Sequence, residues 1–147
     1  MRTGPSARIY LILQGLFQMT VDKNMNVLIV DDYATMRRII RNLLNQIGFP
    51  NIDEANDGQQ ALTMTGQKKY GLIVSDWNME PMSGLDFLKG LRAGTNDNKT
   101  APFIMVTAES KTENIIAAKQ AGVNNYIVKP FNAETLKTKI SAVLGPL

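Results

Sequence analysis

Neither cysteine nor histidine occurs in the 147 residues. The first absence excludes disulfides, thiolate nucleophiles and cysteine-bound metals. The second removes the commonest general base and metal ligand, and with it every Ser-His arrangement. No apolar run is long enough to span a bilayer, so no integral membrane segment is expected. An excess of one charge is also missing. The formal net charge is +3, Arg2 and Arg8 supply two of those charges, and from Val21 onward basic and acidic residues nearly balance. With no concentrated basic run, nucleic acid is not an expected partner.

The composition, 44% hydrophobic and 20% charged, is that of an ordinary globular protein with enough chain for one core. Residues 1–24 are read as an extension and residues 25–147 as the folded domain. Arg2 and Arg8 precede an apolar run from Ile9 to Phe17, interrupted by Gln14 and lacking a small-residue cleavage motif. Three readings compete for it: a flexible extension from an early start codon, with Met19 or Met25 as the natural start; a helix docking on the domain or a membrane surface; and an export signal. The first is preferred. Only Gly145, Pro146 and Leu147 follow the last helical pattern, so no second domain is expected.

From residue 25 onward, short apolar runs alternate with helical patterns. Strands are expected at Val27–Val30, Ile52–Ala55, Gly71–Ser75, Pro102–Val106 and Asn125–Val128. Asp53 and Glu54 place the second strand at a sheet edge. Met36, Ile39, Ile40, Leu43, Leu44 and Ile47 recur at helical spacing, and Gly48 ends that helix. Further helices are expected over Gln59–Thr65, Ser83–Arg92 with Leu85, Leu88 and Leu91 inward, Thr112–Ala121 and Asn132–Leu144. "GTNDNKT" reads as a polar loop. The alternation predicts an α/β fold: a doubly wound, five-stranded parallel sheet with helices on both faces.

In such a sheet, ligands bind beyond the carboxyl ends of the strands. Those ends carry Asp31 and Asp32, then Asp76, then Thr107 and Ala108, then Lys129 and Pro130. Taken singly, each has an ordinary explanation: the aspartates and Thr107 as helix caps, Lys129 as a solvated loop lysine, Pro130 as a helix start. Taken together, three carboxylates, a hydroxyl and a lysine converge on one crevice. Two carboxylates about 5 Å apart repel by roughly 3 kcal/mol at an effective dielectric near 20. Such a nest raises a pKa or binds a cation, and an all-oxygen site with room for water suits Mg²⁺. A carboxylate beside Mg²⁺, flanked by a lysine and a hydroxyl, is equipped to accept a phosphoryl group.

Four motifs in this order, "LIVDD", "LIVSDWNM", "MVTAES" and "YIVKPF", resemble the receiver domains of two-component response regulators over about Asn26–Leu144. "TAESKTENIIAAKQAG" looks most like the single-domain chemotaxis members. The resemblance implies strand order 2-1-3-4-5. It implies that Asp76 is the phosphoacceptor, attacking a phosphohistidine on a sensor histidine kinase or phosphotransfer protein. Asp32, Asp76 and the carbonyl of Asn78 would ligate Mg²⁺, with Asp31 acting through water. Lys129, the Thr107 hydroxyl and the Ala108 N–H would contact the phosphoryl oxygens. The Lys129–Pro130 peptide would be cis.

Phosphorylation would draw Thr107 inward and let Tyr126 rotate, remodelling a face made by the fourth helix, fifth strand and fifth helix for a downstream protein. Asn78 and Glu109 would tune hydrolysis. The implied protein is a cytoplasmic switch that catalyses only its own phosphorylation and dephosphorylation, with a phosphate shuttle or sink as the alternative. Two departures from the family pattern stand out. Pro81 comes one position late, with Glu80 in its place, and Thr112 replaces a lysine of the chemotaxis members.

Two readings outside this family are weaker. Aspartyl-phosphate hydrolases carry a spaced D-x-D on the first strand, whereas Asp31 and Asp32 are adjacent. A flavodoxin-like mononucleotide binder needs a phosphate loop there, and "DDYATMRR" would repel a phosphate unless a metal intervened.

Overall fold

The computed structural model describes residues 21–108 and 111–147. The expectations for residues 1–20 and for Glu109 lie outside the described residues. Five strands alternate with five helices among them: β1 (Val27–Val30), α1 (Ala34–Ile47), β2 (Ile52–Ala55), α2 (Gly58–Thr65), β3 (Leu72–Asp76), α3 (Gly84–Ala93), β4 (Phe103–Thr107), α4 (Thr112–Gln120), β5 (Asn125–Val128) and α5 (Ala133–Leu144). The strands form one parallel sheet in the order β2-β1-β3-β4-β5.

Alternation along each strand feeds two cores. In β1, Val27 and Ile29 join Ile40 and Leu44 of α1 and Leu136 and Ile140 of α5 on one face. Leu28 and Val30 join Ala61 of α2 and Phe87, Leu88 and Leu91 of α3 on the other. All four β1 residues are fully buried, as a central parallel strand requires. Val21 packs against the first core, and the Lys23 ammonium donates to the Ile47 carbonyl at 3.1 Å.

The helix ends follow the sequence signals. Gly48, at φ 118°, closes α1, its N–H bonding the Leu44 and Asn45 carbonyls. Asp57, Ser83 and Asn132 cap α2, α3 and α5 through the N–H groups of Gln60, Asp86 and Thr135. Thr107 caps no helix: it is the last residue of β4, and α4 starts after Lys111 without a side-chain cap. β2 is an edge strand whose charges are paired. Asp53 accepts from Lys68 and the Tyr70 hydroxyl, and Glu54 accepts from Arg37 and Arg41.

Two inward assignments change. Phe87, rather than the partly buried Leu85, fills the core beside Leu88, with its ring centroid 5.5 Å from that of Phe103. Ile39 is 44% exposed, because it turns toward a cleft at the sheet's carboxyl edge instead of the core.

The segment read as a polar loop hides a lock. Asn98 is only 1% exposed. Its Oδ1 accepts the Tyr70 N–H at 2.8 Å, and its Nδ2 donates to the carbonyls of Thr65 at 2.6 Å and Lys68 at 2.7 Å. One side chain thus satisfies three backbone groups between α2 and β3, two of them in buried hydrogen bonds. Asn98→Ala is expected to lower unfolding free energy by about 2–4 kcal/mol, because it orphans the buried Tyr70 N–H and Thr65 carbonyl. Urea denaturation followed by circular dichroism measures this, and an unchanged midpoint would remove Asn98 from the role.

Candidate functional site

Register aligns the strand ends that carry the charges. Val30 lies opposite Ser75, Asp76 opposite Val106, and Thr107 opposite Val128. The next residues of the inner strands therefore emerge at one edge. Backbone bonds extend the pairing past the strands: Asp31 N–H to the Ala55 carbonyl (3.2 Å), Trp77 N–H to Val106 (2.9 Å) and Lys129 N–H to Thr107 (2.8 Å).

Asp31, Asp32, Asp76, Asn78 and Lys129 line one cleft of about 450 Å³, together with Tyr33, Thr35, Met36 and Ile39. An oxygen from each of the three aspartates lies within 4.8 Å of the others, close enough for one cation to reach all three. A second cleft, of about 390 Å³, shares Asp32 and Asn78 and adds Met79, Glu80 and Ser83. The displaced proline sits in this loop, where the Glu80–Pro81 peptide is cis.

The adjacent aspartates differ sharply. Asp32 is exposed, while Asp31 is 1% exposed. Asp31 Oδ1 accepts the Tyr33 N–H at 2.8 Å, but its buried Oδ2 has no hydrogen-bond partner among the described residues. The nearest cation, Lys129 Nζ, stands 3.8 Å away, too far for a hydrogen bond. Burial pushes the Asp31 carboxyl up from 3.8 to about 6; the Tyr33 N–H and Lys129 oppose the rise, and Asp76 and Asp32 add to it. Lys129 spends its short contact on Asp76 Oδ1, at 3.0 Å. Even so, burial of Asp76, which is 6% exposed, outweighs that hydrogen bond and charge and raises its carboxyl above the usual range. One ammonium facing three carboxylates leaves the ionised cluster negative. An unpartnered buried oxygen in an all-oxygen nest fits a hard divalent cation.

Thr107 is buried at the end of β4, between the strands bearing Asp76 and Lys129, whereas Ala108 is exposed. Neither lines the two clefts. The Lys129–Pro130 peptide is cis. Tyr126 stands apart from the acidic cluster. It pairs with Met105, packs partly buried on the second core, and has the Lys139 ammonium 5.0 Å above its ring.

Sequence reasoning missed Gly84. A Cβ there would overlap the Asp76 carbonyl oxygen, and its N–H donates to the Trp77 carbonyl at 2.8 Å. The absent side chain lets α3 start directly against the backbone of Asp76. The Ser-Gly pair at a helix start was the available signal.

The response regulator receiver domain family matches residues 27–141. Chemotaxis protein CheY-3 of Vibrio cholerae is 53% identical over 127 residues, covering 86% of this chain and 97% of that protein. Chemotaxis protein CheY of Pseudomonas aeruginosa is 52% identical over 119 residues, covering 81% and 95%. The solved structure of V. cholerae chemotaxis protein CheY4 superposes with a TM-score of 0.77 at 34% identity, covering 82% of this chain and 99% of that one.

The buried charge on Asp31 has a measurable sign. Its folded pKa of about 6 exceeds the ordinary 3.8, so between those pH values the folded chain keeps a proton that the unfolded chain has released. Stability from this group is present below the window and lost as pH rises through it. In chelator, Asp31→Asn is expected to stabilise the protein by about 1–3 kcal/mol at pH 7.5 and by about a third as much at pH 4.5, inside the window. Urea midpoints at both pH values decide it; an equal gain at both would refute the assignment to buried charge.

Proposed function

Because the chain belongs to the response regulator receiver domain family, we propose that it is a chemotaxis-type response regulator switched by phosphorylation of Asp76. The observation that carries this reading is the 3.0 Å contact of Lys129 Nζ with Asp76 Oδ1, inside a buried nest whose Asp31 Oδ2 lacks a partner. The same lysine neutralises the acceptor before transfer and is placed to follow the charge onto a phosphoryl oxygen afterwards.

A carboxylate oxygen of Asp76 attacks the phosphorus of a phosphohistidine on a sensor kinase or phosphotransfer protein. The P–N bond breaks, its electron pair leaves with the imidazole, and an acyl phosphate remains on Asp76. The Thr107 hydroxyl and the Ala108 N–H donate to the other phosphoryl oxygens. Attack by water later releases inorganic phosphate, at a rate set by Asn78 and Glu109. Asp32, Asp76 and the Asn78 carbonyl would hold Mg²⁺, with Asp31 assisting through water. The ion's contribution when bound is to offset the clustered negative charge.

The output is a population shift at the face made by α4, β5 and α5. Tyr126 lies on that face, with Ile116 and Val128 among its exposed apolar side chains. Thr107 moving toward the phosphoryl group leaves room for Tyr126 to turn inward, and the changed face binds a downstream protein in the cytoplasm. Among the described residues, no helix is long and apolar enough to cross a membrane. A phosphate shuttle or sink uses the same transfer chemistry. It is favoured by Thr112, which begins α4 where the chemotaxis members present a lysine.

Trp77, the only tryptophan, directly follows Asp76 and is half-buried, so its fluorescence reports on the site. Asp76→Asn is expected to abolish the fluorescence change caused by a small phosphodonor in Mg²⁺, and Asp32→Ala to weaken the change caused by Mg²⁺ alone. A phosphodonor response that persists in Asp76→Asn would sink the acceptor assignment.

A further inference from the structure

We infer that Arg37 is a positioning residue for the cation site, gripping the backbone of Asp31 so that the unpartnered carboxylate oxygen is held toward the cluster. This rests on the Mg²⁺ reading above. Arg37 lies one turn into α1, and its side chain is only 18% exposed. Its guanidinium is split between two acceptors: Nη1 donates to the Asp31 carbonyl at 2.6 Å, and Nε donates to Glu54 Oε1 at 2.9 Å.

Glu54 is an anchor of unusual fixity for an edge strand. Its second oxygen accepts from Arg41 Nε at 2.7 Å, and Arg41 Nη2 donates back to the Ile52 carbonyl of β2 at 3.0 Å. Burial would raise the Glu54 carboxyl, but the hydrogen bonds from Arg41 and Arg37 hold it below the ordinary range.

Asp31 is consequently held at three points. Its N–H donates to the Ala55 carbonyl of β2, its carbonyl accepts from Arg37, and its Oδ1 accepts the Tyr33 N–H. Oδ2 is the one polar atom of the residue left without a hydrogen bond. A site that depends on a buried, unpartnered oxygen depends on whatever prevents that oxygen from turning to find a partner. Two of the three points are fixed by β2, the strand whose own charges do not line the cleft. Partners that orient a ligand in this way are typically worth about 10- to 100-fold in metal affinity.

Charge alone predicts the opposite. Arg37 is a cation near the acidic nest, so removing it should tighten Mg²⁺ binding if field were its only effect. The positioning role predicts weaker binding, so the sign of the change separates the two. Arg41 supplies the control, because it shares Glu54 and carries the same charge but contacts β2 instead of Asp31.

The experiment titrates Mg²⁺ against Trp77 fluorescence in wild type, Arg37→Gln and Arg41→Gln, with urea midpoints measured alongside. Arg37→Gln should raise the Mg²⁺ dissociation constant about tenfold, and Arg41→Gln should leave it within about twofold, the span expected for a charge not touching the ligand loop. Unchanged or tighter binding in Arg37→Gln, or equal weakening in both variants, overturns the proposal. If Arg37→Gln does not fold, Arg37→Lys takes its place. It keeps the charge, cannot span both acceptors, and should also weaken binding.

If wild type shows no Mg²⁺ response, the metal reading fails, and amide hydrogen exchange in the metal-free protein decides the positioning role. The Tyr33 N–H should exchange faster in Arg37→Gln and not in Arg41→Gln; any other pattern overturns it.

Discussion

A negative charge that the protein cannot neutralise by itself organises this molecule. Asp31 and Asp76 are buried beside exposed Asp32, and among the described residues Lys129 is the one ammonium drawn into contact with them. It reaches Asp76 at hydrogen-bond distance and leaves Asp31 Oδ2 unsatisfied. Burying such a group costs stability, and the two hydrophobic cores on either face of the sheet make that cost tolerable. The cluster is poised for whatever brings positive charge or strong donors to it. The cation and phosphoryl group proposed above would meet that requirement together.

The parallel sheet makes the arrangement possible. Because every strand runs the same way, every carboxyl end falls on one edge, and pairing across β1, β3, β4 and β5 brings residues far apart in the chain into contact. Hydrophobic strands fix the register, so the polar groups have no freedom to drift. The surroundings then refine each position. Gly84 lets α3 begin against the Asp76 backbone, and the β2 edge, through Ala55 and Glu54 with Arg37, holds the turn that carries Asp31. The edge strand contributes no side chain to the cluster, yet it supplies part of the cluster's rigidity.

The same construction puts a second surface near the site. Thr107 ends β4 beside the strands of Asp76 and Lys129, and Tyr126 lies on neighbouring β5, one pair back along the ladder from Ile127. The Lys139 ammonium over the Tyr126 ring ties α5 to that strand. β4 alone thus separates Asp76 on β3 from β5, the strand of the proposed partner face.

Much of this was legible in the chain. Short runs alternating with helical patterns located all five strands to within a residue or so, Gly48 marked the end of α1, and the polar residues at the strand ends gathered where an open parallel sheet binds ligands. These features are local, set by alternation, helical spacing and turn chemistry, and so one sequence suffices to read them. What tertiary structure alone decided is environment. Asp31 and Asp32 are neighbours of identical chemistry, and only packing buries one and exposes the other. Ile39 keeps helical core spacing yet faces the cleft, Asn98 sits in a polar loop yet is buried, and Arg37, which no sequence motif singles out, grips a backbone carbonyl. Each of those outcomes depends on which distant groups arrive nearby, and dielectric, hydrogen-bond satisfaction and pKa follow from that arrival rather than from the residue's own identity.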